Sequence, residues 1–388
     1  MEFLLSEQQK QFIGTVRAIT QGEFKSRSLE YMNGRFPWEN LRRLAEVGVL
    51  GMAVPEEYGG LGLPVLDTAL VLEEIAKGCY VTAMGVLGEV GVQTRIIAAY
   101  APEAMKRRIL PGVCTGEIIL SICMTEPHAG TDMASYTTNT RLAGDRAILT
   151  GVKTLISRAE EAGAFVVFSR IDHKPGAAGI GCVIVERGTP GLEVTGRFHT
   201  MGGEYLHEVR FDGCELPIEN VVLQEDGFRK LLNAFNTQRC LNPSISLGLA
   251  EGAFDESVQY LRERTAFGRP IGDFQGMRWK LAEMYKDVEA GRSLLYRACL
   301  TANPFPDPLL AATAKLYCNE MSMRVTSEAI QIHGGSGFTD ECLVSRLFRG
   351  ARYGSLGGGT AETLRDGMGK RLMASLDPVD GIFGLGNF

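Results

Sequence analysis

No C-x-x-C pair occurs among the nine cysteines, and their odd number prevents complete pairing. They stand singly in apolar surroundings, as at Cys123 and Cys182, which reads as buried reduced thiols of a cytoplasmic protein. Histidine is scarce. The five (His128, His173, His199, His207, His333) are dispersed without zinc-ligand spacing, which argues against a metal site. No apolar run is long enough to span a bilayer, so no membrane partner is expected. The opening MEFLLSEQQKQF is acidic and amphipathic and lacks the basic and apolar regions of a signal peptide. A basic stripe is missing too. The net charge is −6, and nucleic acid is not an expected partner.

What remains is a globular composition, 45% hydrophobic and 22% charged. At 388 residues the chain exceeds one ordinary core and suggests two or three domains. Residues 1–115 read as helical. WENLRRLAEVGVL (38–50) places Leu41, Leu44 and Val47 on one face, and TALVLEEIAKGC repeats the pattern. Between them PEEYGGLGLP is a punctuated loop. Residues 116–225 change texture to short β-branched runs, such as EIILSICMT and GAFVVFSRI, separated by Gly, Pro or Asp. Residues 226–388 turn helical again. Pro-free stretches cover Leu247–Ala266 and Phe274–Thr301, and NPFPDP forms a stiff connector. Leu309, Leu316, Met323 and Ile330 then recur at sevens, as in an antiparallel bundle. The fold class is α+β: a helical domain, a β domain and a helical bundle.

Three segments suggest ligand chemistry. In CMTEPHAGTD (123–132), Thr125 follows a β run and the turn exposes main-chain N–H groups, which suits a flat heteroaromatic ring. An ordinary strand-to-loop turn has the same composition. In RERTAFGRPIGDFQGMRW, Arg264 and Gln275 flank the Phe267-Gly268 bend and suit a phosphate or ribose, or a solvated helix end. In QIHGGSGF, adjacent glycines follow a helix and permit close approach by a pyrophosphate, or merely cap the helix.

PEEYGGLGL, MTEPHAGTD, RTAFGRPIGDFQ, QIHGGSGF and GGGTAE together resemble the acyl-CoA dehydrogenase superfamily of flavoproteins, in order and spacing, over residues 1–375. The resemblance implies FAD, held between the β domain and the bundle of a homotetramer. It implies flavin contacts at Ile122, Met124, Thr125, Thr131, Leu155, Ile156 and Ser157, with Thr360 and Glu362 adding more. Leu155 stands where the family often has Trp. Arg264, Phe267, Gln275, Gln331, Gly334 and Gly335 match residues that hold the FAD pyrophosphate and adenosine across a subunit boundary. An acyl thioester of CoA or of an acyl carrier protein is the implied substrate, contacted by Thr131, Asn236, Gln238, Arg239 and Gly359. An electron-transfer flavoprotein is the implied candidate acceptor.

The catalytic carboxylate is the departure. Ordinary members keep a Glu immediately before the Gly-Thr of the last motif, and here that position is Gly358. Isovaleryl-type members carry the base just before the bundle arginine, and here that is Gln238, beside Arg239. An amide takes no proton at a useful pH. A positioned base contributes roughly 10²–10⁴-fold, so ordinary α,β-dehydrogenation is not the expected main activity. The Gly358 backbone N–H survives as a donor to a thioester carbonyl. FPWENL, FNTQR, FGRPIGDFQGMRW and GGGTAETLR resemble family members lacking the Glu, such as 3-sulfinopropanoyl-CoA desulfinase. The arginine that suits a sulfinate in that enzyme falls on Met84 here. The expectation is an FAD enzyme on an acyl thioester. A base-less desulfinase or decarboxylating lyase, and a flavin monooxygenase, are the alternatives.

Overall fold

The structure, a computed structural model, describes residues 5–374; the outer limits of the first and last expected domains, at residues 1 and 388, lie outside the described residues. Seven helices come first: α1 (Glu7–Ile19), α2 (Lys25–Met32), α3 (Trp38–Glu46), α4 (Val65–Gly78), α5 (Tyr80–Val90), α6 (Val92–Tyr100) and α7 (Glu103–Thr115). Eight strands follow: β1 (Ile119–Cys123), β2 (Asn139–Ala143), β3 (Arg146–Ser157), β4 (Ala162–Ile171), β5 (Ile180–Glu186), β6 (Leu192–His199), β7 (Tyr205–Pro217) and β8 (Val221–Leu223). Then come α8 (Gly227–Glu263), α9 (Gln275–Leu300), α10 (Pro308–His333), α11 (Leu343–Ala351) and α12 (Ala361–Ala374). The helical, β, helical order is the one expected.

The strands form one sheet in the order β6-β7-β3-β2-β4-β5-β8, with β1 also pairing β4. β1 and β2 both run parallel to β4, β1 along Ala162–Val167 and β2 at Arg170–Ile171. β1 therefore ends inside the sheet, and the chain beyond Cys123 is delivered against β3.

α8 differs from its expected extent. It starts twenty residues before Leu247 and runs through Pro243. The ring removes one intrahelical hydrogen bond, at the carbonyl of Arg239. Burial of the flanking turns holds the helix together, since residues 240–253 are all buried. Glycine lets α8 approach α4 closely: a Cβ at Gly248 would lie 2.1 Å from the Glu73 carbonyl oxygen. The heptad on α10 is also corrected. Leu309, Leu316, Met323 and Ile330 are only half-buried, while the buried face carries Ala311, Ala314, Lys315, Cys318, Asn319 and Ser322. Small residues pack α10 tightly, and tight packing of small residues has little hydropathy signature.

The helical domain is tied to its neighbours by buried polar contacts. Tyr296 Oη donates to Glu73 at 2.8 Å, and Lys77 pairs with both Glu74 and Glu251. Arg158, following β3, crosses to α5, where its Nη1 donates to Glu89 (3.0 Å) and to the Gly85 carbonyl (3.1 Å). Glu89 also accepts from the Leu120 N–H, at 2.9 Å.

Candidate active site

The three-glycine loop is suspended from α10. Lys315 Nζ donates to the Gly359 carbonyl at 2.8 Å and to the Gly354 carbonyl at 3.2 Å. One turn on, Asn319 Nδ2 donates to the Gly354 carbonyl and to Asn242 Oδ1, and its own Oδ1 accepts from Ser246. Thr360 caps α12, its Oγ1 accepting from the Thr363 N–H at 3.3 Å. Gly357 leaves room for a ring: a Cβ there would lie 2.1 Å from Tyr353 Cζ. Gly358 differs. It has φ +72°, and a Cβ there would meet nothing nearer than 3.7 Å. The atoms at that distance are Gln238 Cγ, Lys315 Cε and Phe235 Cε1. Positions 238 and 358, 120 residues apart in the chain, thus face one point. The Gly358 N–H has no hydrogen-bond partner among the described residues.

That point carries positive charge. Burial, then repulsion from Arg239, push the Lys315 amine down to about 7. Burial, then Arg371, lower Arg239, whose Nη1 donates to Asn236 Oδ1 at 2.8 Å. Neither cation has a carboxylate partner among the described residues. Lys315 escapes sequence reading because a lone lysine in AATAKLY looks solvated.

The Lys315 amine has a consequence for stability. In the unfolded chain it titrates near the ordinary lysine value. Between that value and about 7 the folded state binds fewer protons. Lys315 therefore weighs fully against stability below pH 7, and the weight lifts as pH rises toward the ordinary lysine range. Wild type and Lys315→Met, compared by urea unfolding at pH 6 and pH 9, isolate this group because other titrations cancel. The difference should move toward wild type at pH 9 by about 2 kcal/mol. A difference independent of pH would show that Lys315 is not held neutral by its surroundings.

The β side is built around a second buried lysine. Lys153 Nζ donates to the Met124 carbonyl and to Glu126 Oε1, both at 2.8 Å, and lies 3.8 Å above the Tyr136 ring. Glu126 also accepts from the N–H groups of Thr137 (2.7 Å) and Thr138 (3.1 Å). Thr154 N–H donates to the Thr125 carbonyl at 2.8 Å, and Ser121 Oγ to the Ser157 carbonyl at 2.8 Å. These bonds bring 122–125 and 154–157 side by side. The register shifts between Lys153 and Ile156, where Leu155 adopts φ +57° and is 51% exposed. Ile156 turns inward and is buried, while Ser157 is half-buried and Thr131 is exposed. The Thr125 and Ser157 hydroxyls bond no described residue.

The remaining expected contacts lie elsewhere. Arg264, Phe267, Gln275, Gln331, Gly334 and Gly335 are all exposed, Phe267 at 95%. Tyr260 stacks on His333 with ring centroids 4.3 Å apart, which joins the end of α8 to the end of α10. From Gln238 to Arg264 the helix rises roughly 39 Å, at about 1.5 Å per residue. One chain therefore does not bring this group to the Gly358 site. Glu362 is exposed on the first turn of α12, and Gly359, at φ +95°, is exposed beside it.

Three family models match in succession: acyl-CoA dehydrogenase N-terminal domain over residues 6–117, middle domain over 121–214 and C-terminal domain over 225–373. The chain belongs to the acyl-CoA dehydrogenase family. It is 35% identical to a 3-sulfinopropanoyl-CoA desulfinase of Cupriavidus necator, over 85% of this chain and 86% of that one. It is 32% identical to a short-chain-specific acyl-CoA dehydrogenase of Clostridium acetobutylicum, over 93% and 97% respectively. Butyryl-CoA dehydrogenase from Megasphaera elsdenii superposes with a TM-score of 0.92 at 30% identity, covering 96% of this chain and 100% of that one.

An acyl-CoA dehydrogenase is a flavoprotein, and FAD is the cofactor. The residues fit it. The Leu155 bulge offers an open apolar shelf, flanked by the unengaged hydroxyls of Thr125 and Ser157. Met84 lines a cavity of about 100 Å³ with Gly85, Ser157 and Arg158. The Arg158 guanidinium is already engaged by Glu89. Among the described residues no helix is long and apolar enough to cross a membrane.

Proposed function

We propose that this chain is a cytoplasmic homotetrameric FAD enzyme that acts on an acyl thioester without a carboxylate base. One observation carries the reading: Gly358 and Gln238 face the same point beside Lys315, which Arg239 is near enough to repel, and neither cation has a carboxylate partner among the described residues. FAD would be held by Ile122, Met124, Thr125, Thr131, Leu155, Ile156, Ser157, Thr360 and Glu362, and would supply a two-electron acceptor. Arg264, Phe267, Gln275, Gln331, Gly334 and Gly335 of a neighbouring copy would hold its adenosine and pyrophosphate. Exposed Phe267, Trp279 (63%) and Phe338 (86%) on that side of the bundle support such an assembly.

The thioester carbonyl accepts from the free Gly358 N–H, with Asn236, Gln238, Arg239 and Gly359 around it. A preorganised donor is worth roughly 3–4 kcal/mol to a developing enolate. Lys315 fixes the loop that presents this donor, and its amine when protonated favours an anion there. The site thus suits an enolate that arises by loss of a group rather than of a proton. A carboxylate on the α-carbon, for example, departs as CO2 and leaves the bonding pair as the enolate, which then takes a proton from water.

The test is anaerobic incubation of the purified flavoprotein with a panel of thioesters, including sulfinyl and carboxyl ones, followed by visible spectroscopy and mass spectrometry. Product without added acceptor and without lasting flavin bleaching is expected. Rapid bleaching by saturated straight-chain acyl-CoA would overturn the base-less reading. Product formed only with oxygen and supplied reductant would mark a monooxygenase instead.

A further inference from the structure

Holding a loop by its carbonyls does not need a lysine. One turn along α10, Asn319 holds the Gly354 carbonyl with a neutral amide. Lys315 does the same with a side chain only 1% exposed and no carboxylate beside it among the described residues. A buried charge without a counter-ion costs stability, so hydrogen bonding alone does not account for an amine here. The Gly354 and Gly359 carbonyls take two of the three N–H donors of the ammonium, and the third has no partner among the described residues.

The amine also stands in a particular place. Lys315 Cε lies 3.7 Å from the point where a Cβ on Gly358 would be, the root of the carboxylate that ordinary members of the family carry. Phe235 and Gln238 of α8 touch the same point, and neither can give up a proton at neutral pH. The surroundings keep the amine ready to do so. Burial, then Arg239 of α8, bring it to about 7, where a lysine exchanges protons in both directions at neutral pH. The loop presents carbonyls, and Tyr353 at its start is held neutral by burial. On α12, Glu362, Arg365, Asp366, Lys370 and Arg371 are all exposed.

We propose that Lys315 is the proton donor that quenches the enolate held at the Gly358 N–H, relaying a proton whose ultimate source is water. This rests on the acyl-thioester reading and deepens it. In the step, the electron pair on the enolate α-carbon forms the new C–H bond. The N–H bond breaks with its pair left on nitrogen, and the neutral amine regains a proton from water. Run backwards, the neutral amine takes an α-proton from a thioester. That direction is uphill, because the thioester α-proton is far less acidic than an ammonium, so it shows as slow isotope exchange.

The experiment incubates the FAD-loaded protein in D2O with acetyl-CoA and with phenylacetyl-CoA. Neither has a β-hydrogen to lose as hydride, so the readout is separate from dehydrogenation. Binding is read from flavin difference spectra, and deuterium entering the α-carbon is followed by mass spectrometry between pH 5 and pH 9. Exchange should rise with pH to a plateau, with its midpoint near the amine's value of about 7. Lys315→Met should lower the plateau by roughly 10²-fold or more. Lys315→Arg keeps the charge and the donors to both carbonyls but gives up no proton, so it should hold FAD and thioester yet exchange as slowly as Lys315→Met. Exchange restored by arginine would reveal a purely structural anchor and overturn the inference. Arg239→Gln leaves Lys315 in place and removes its repulsion, so the midpoint should move up toward the ordinary lysine value, a readout that survives if arginine at 315 does not fold. An unmoved midpoint overturns the inference equally. Absence of exchange in a wild type that binds either thioester overturns it while leaving the thioester reading intact. If neither thioester binds, both fall together.

Discussion

Gly358→Glu is expected to raise dehydrogenation of straight-chain acyl-CoA by roughly 10²–10⁴-fold, the usual contribution of a positioned base. Space permits the side chain, since a Cβ at 358 has no neighbour closer than 3.7 Å. Conformation resists it. At φ +72° an L side chain costs about 1–2 kcal/mol, so the variant should fold with somewhat lower stability. Electrostatics favour the carboxylate, because Lys315 and Arg239 would keep it ionised and ready to accept a proton. The Lys315 amine would in turn regain a partner, and its pKa should rise. Steady-state turnover with an artificial acceptor measures the gain. A variant that retains FAD and binds acyl-CoA yet remains inert would show that 358 does not face the α-carbon. Gln238→Glu, its carboxylate aimed at the same point from α8, is the companion test. Activity in only one of the two would reveal which face of the acyl chain the site presents.

Breaking the Lys153–Glu126 pair should have the largest structural effect. Lys153 is fully buried, and the Glu126 side chain is 1% exposed. Burial works against both charges. It pushes the lysine down to about 8, whereas Lys153 and the neighbouring donors outweigh it at Glu126 and hold that carboxyl below its usual range. Removing one partner strands the other, at a cost of about 3–5 kcal/mol. Lys153→Met should therefore lower the urea midpoint strongly and loosen the segment around Thr125, with loss of bound FAD on gel filtration. Lys153→Met with Glu126→Gln should recover much of the stability, because no buried charge remains. A single variant within about 1 kcal/mol of wild type would mean that the pair is more hydrated than its burial implies.

The sequence carried the order of the three regions, because changes in apolar periodicity at 116 and 226 are strong signals. It also singled out Gly358 and Gln238, since both sit in motifs matched in tight register, and the structure brings the two positions to one point. Lys315 was not legible, because only the descent of the Gly354 and Gly359 carbonyls onto α10 explains a lysine among alanines. The first half of α8 was hidden by Pro243 and by the polar run FNTQR, whose side chains are buried without the apolar pattern that marks a core. In each case the burial is polar or small, and hydropathy is blind to both.

The length of α8 sets how damage would spread in an assembled protein. In the proposed assembly its Gln238 end would serve one cofactor molecule and its Arg264 end another, so a chain altered at Arg264 would impair its neighbour's active site and spare its own. Mixed assemblies of an Arg264 variant with a Lys153 variant should contain some sites with every contact intact, and these would work although neither parent does. Complementation between inactive chains would thus be written into the geometry of a single helix.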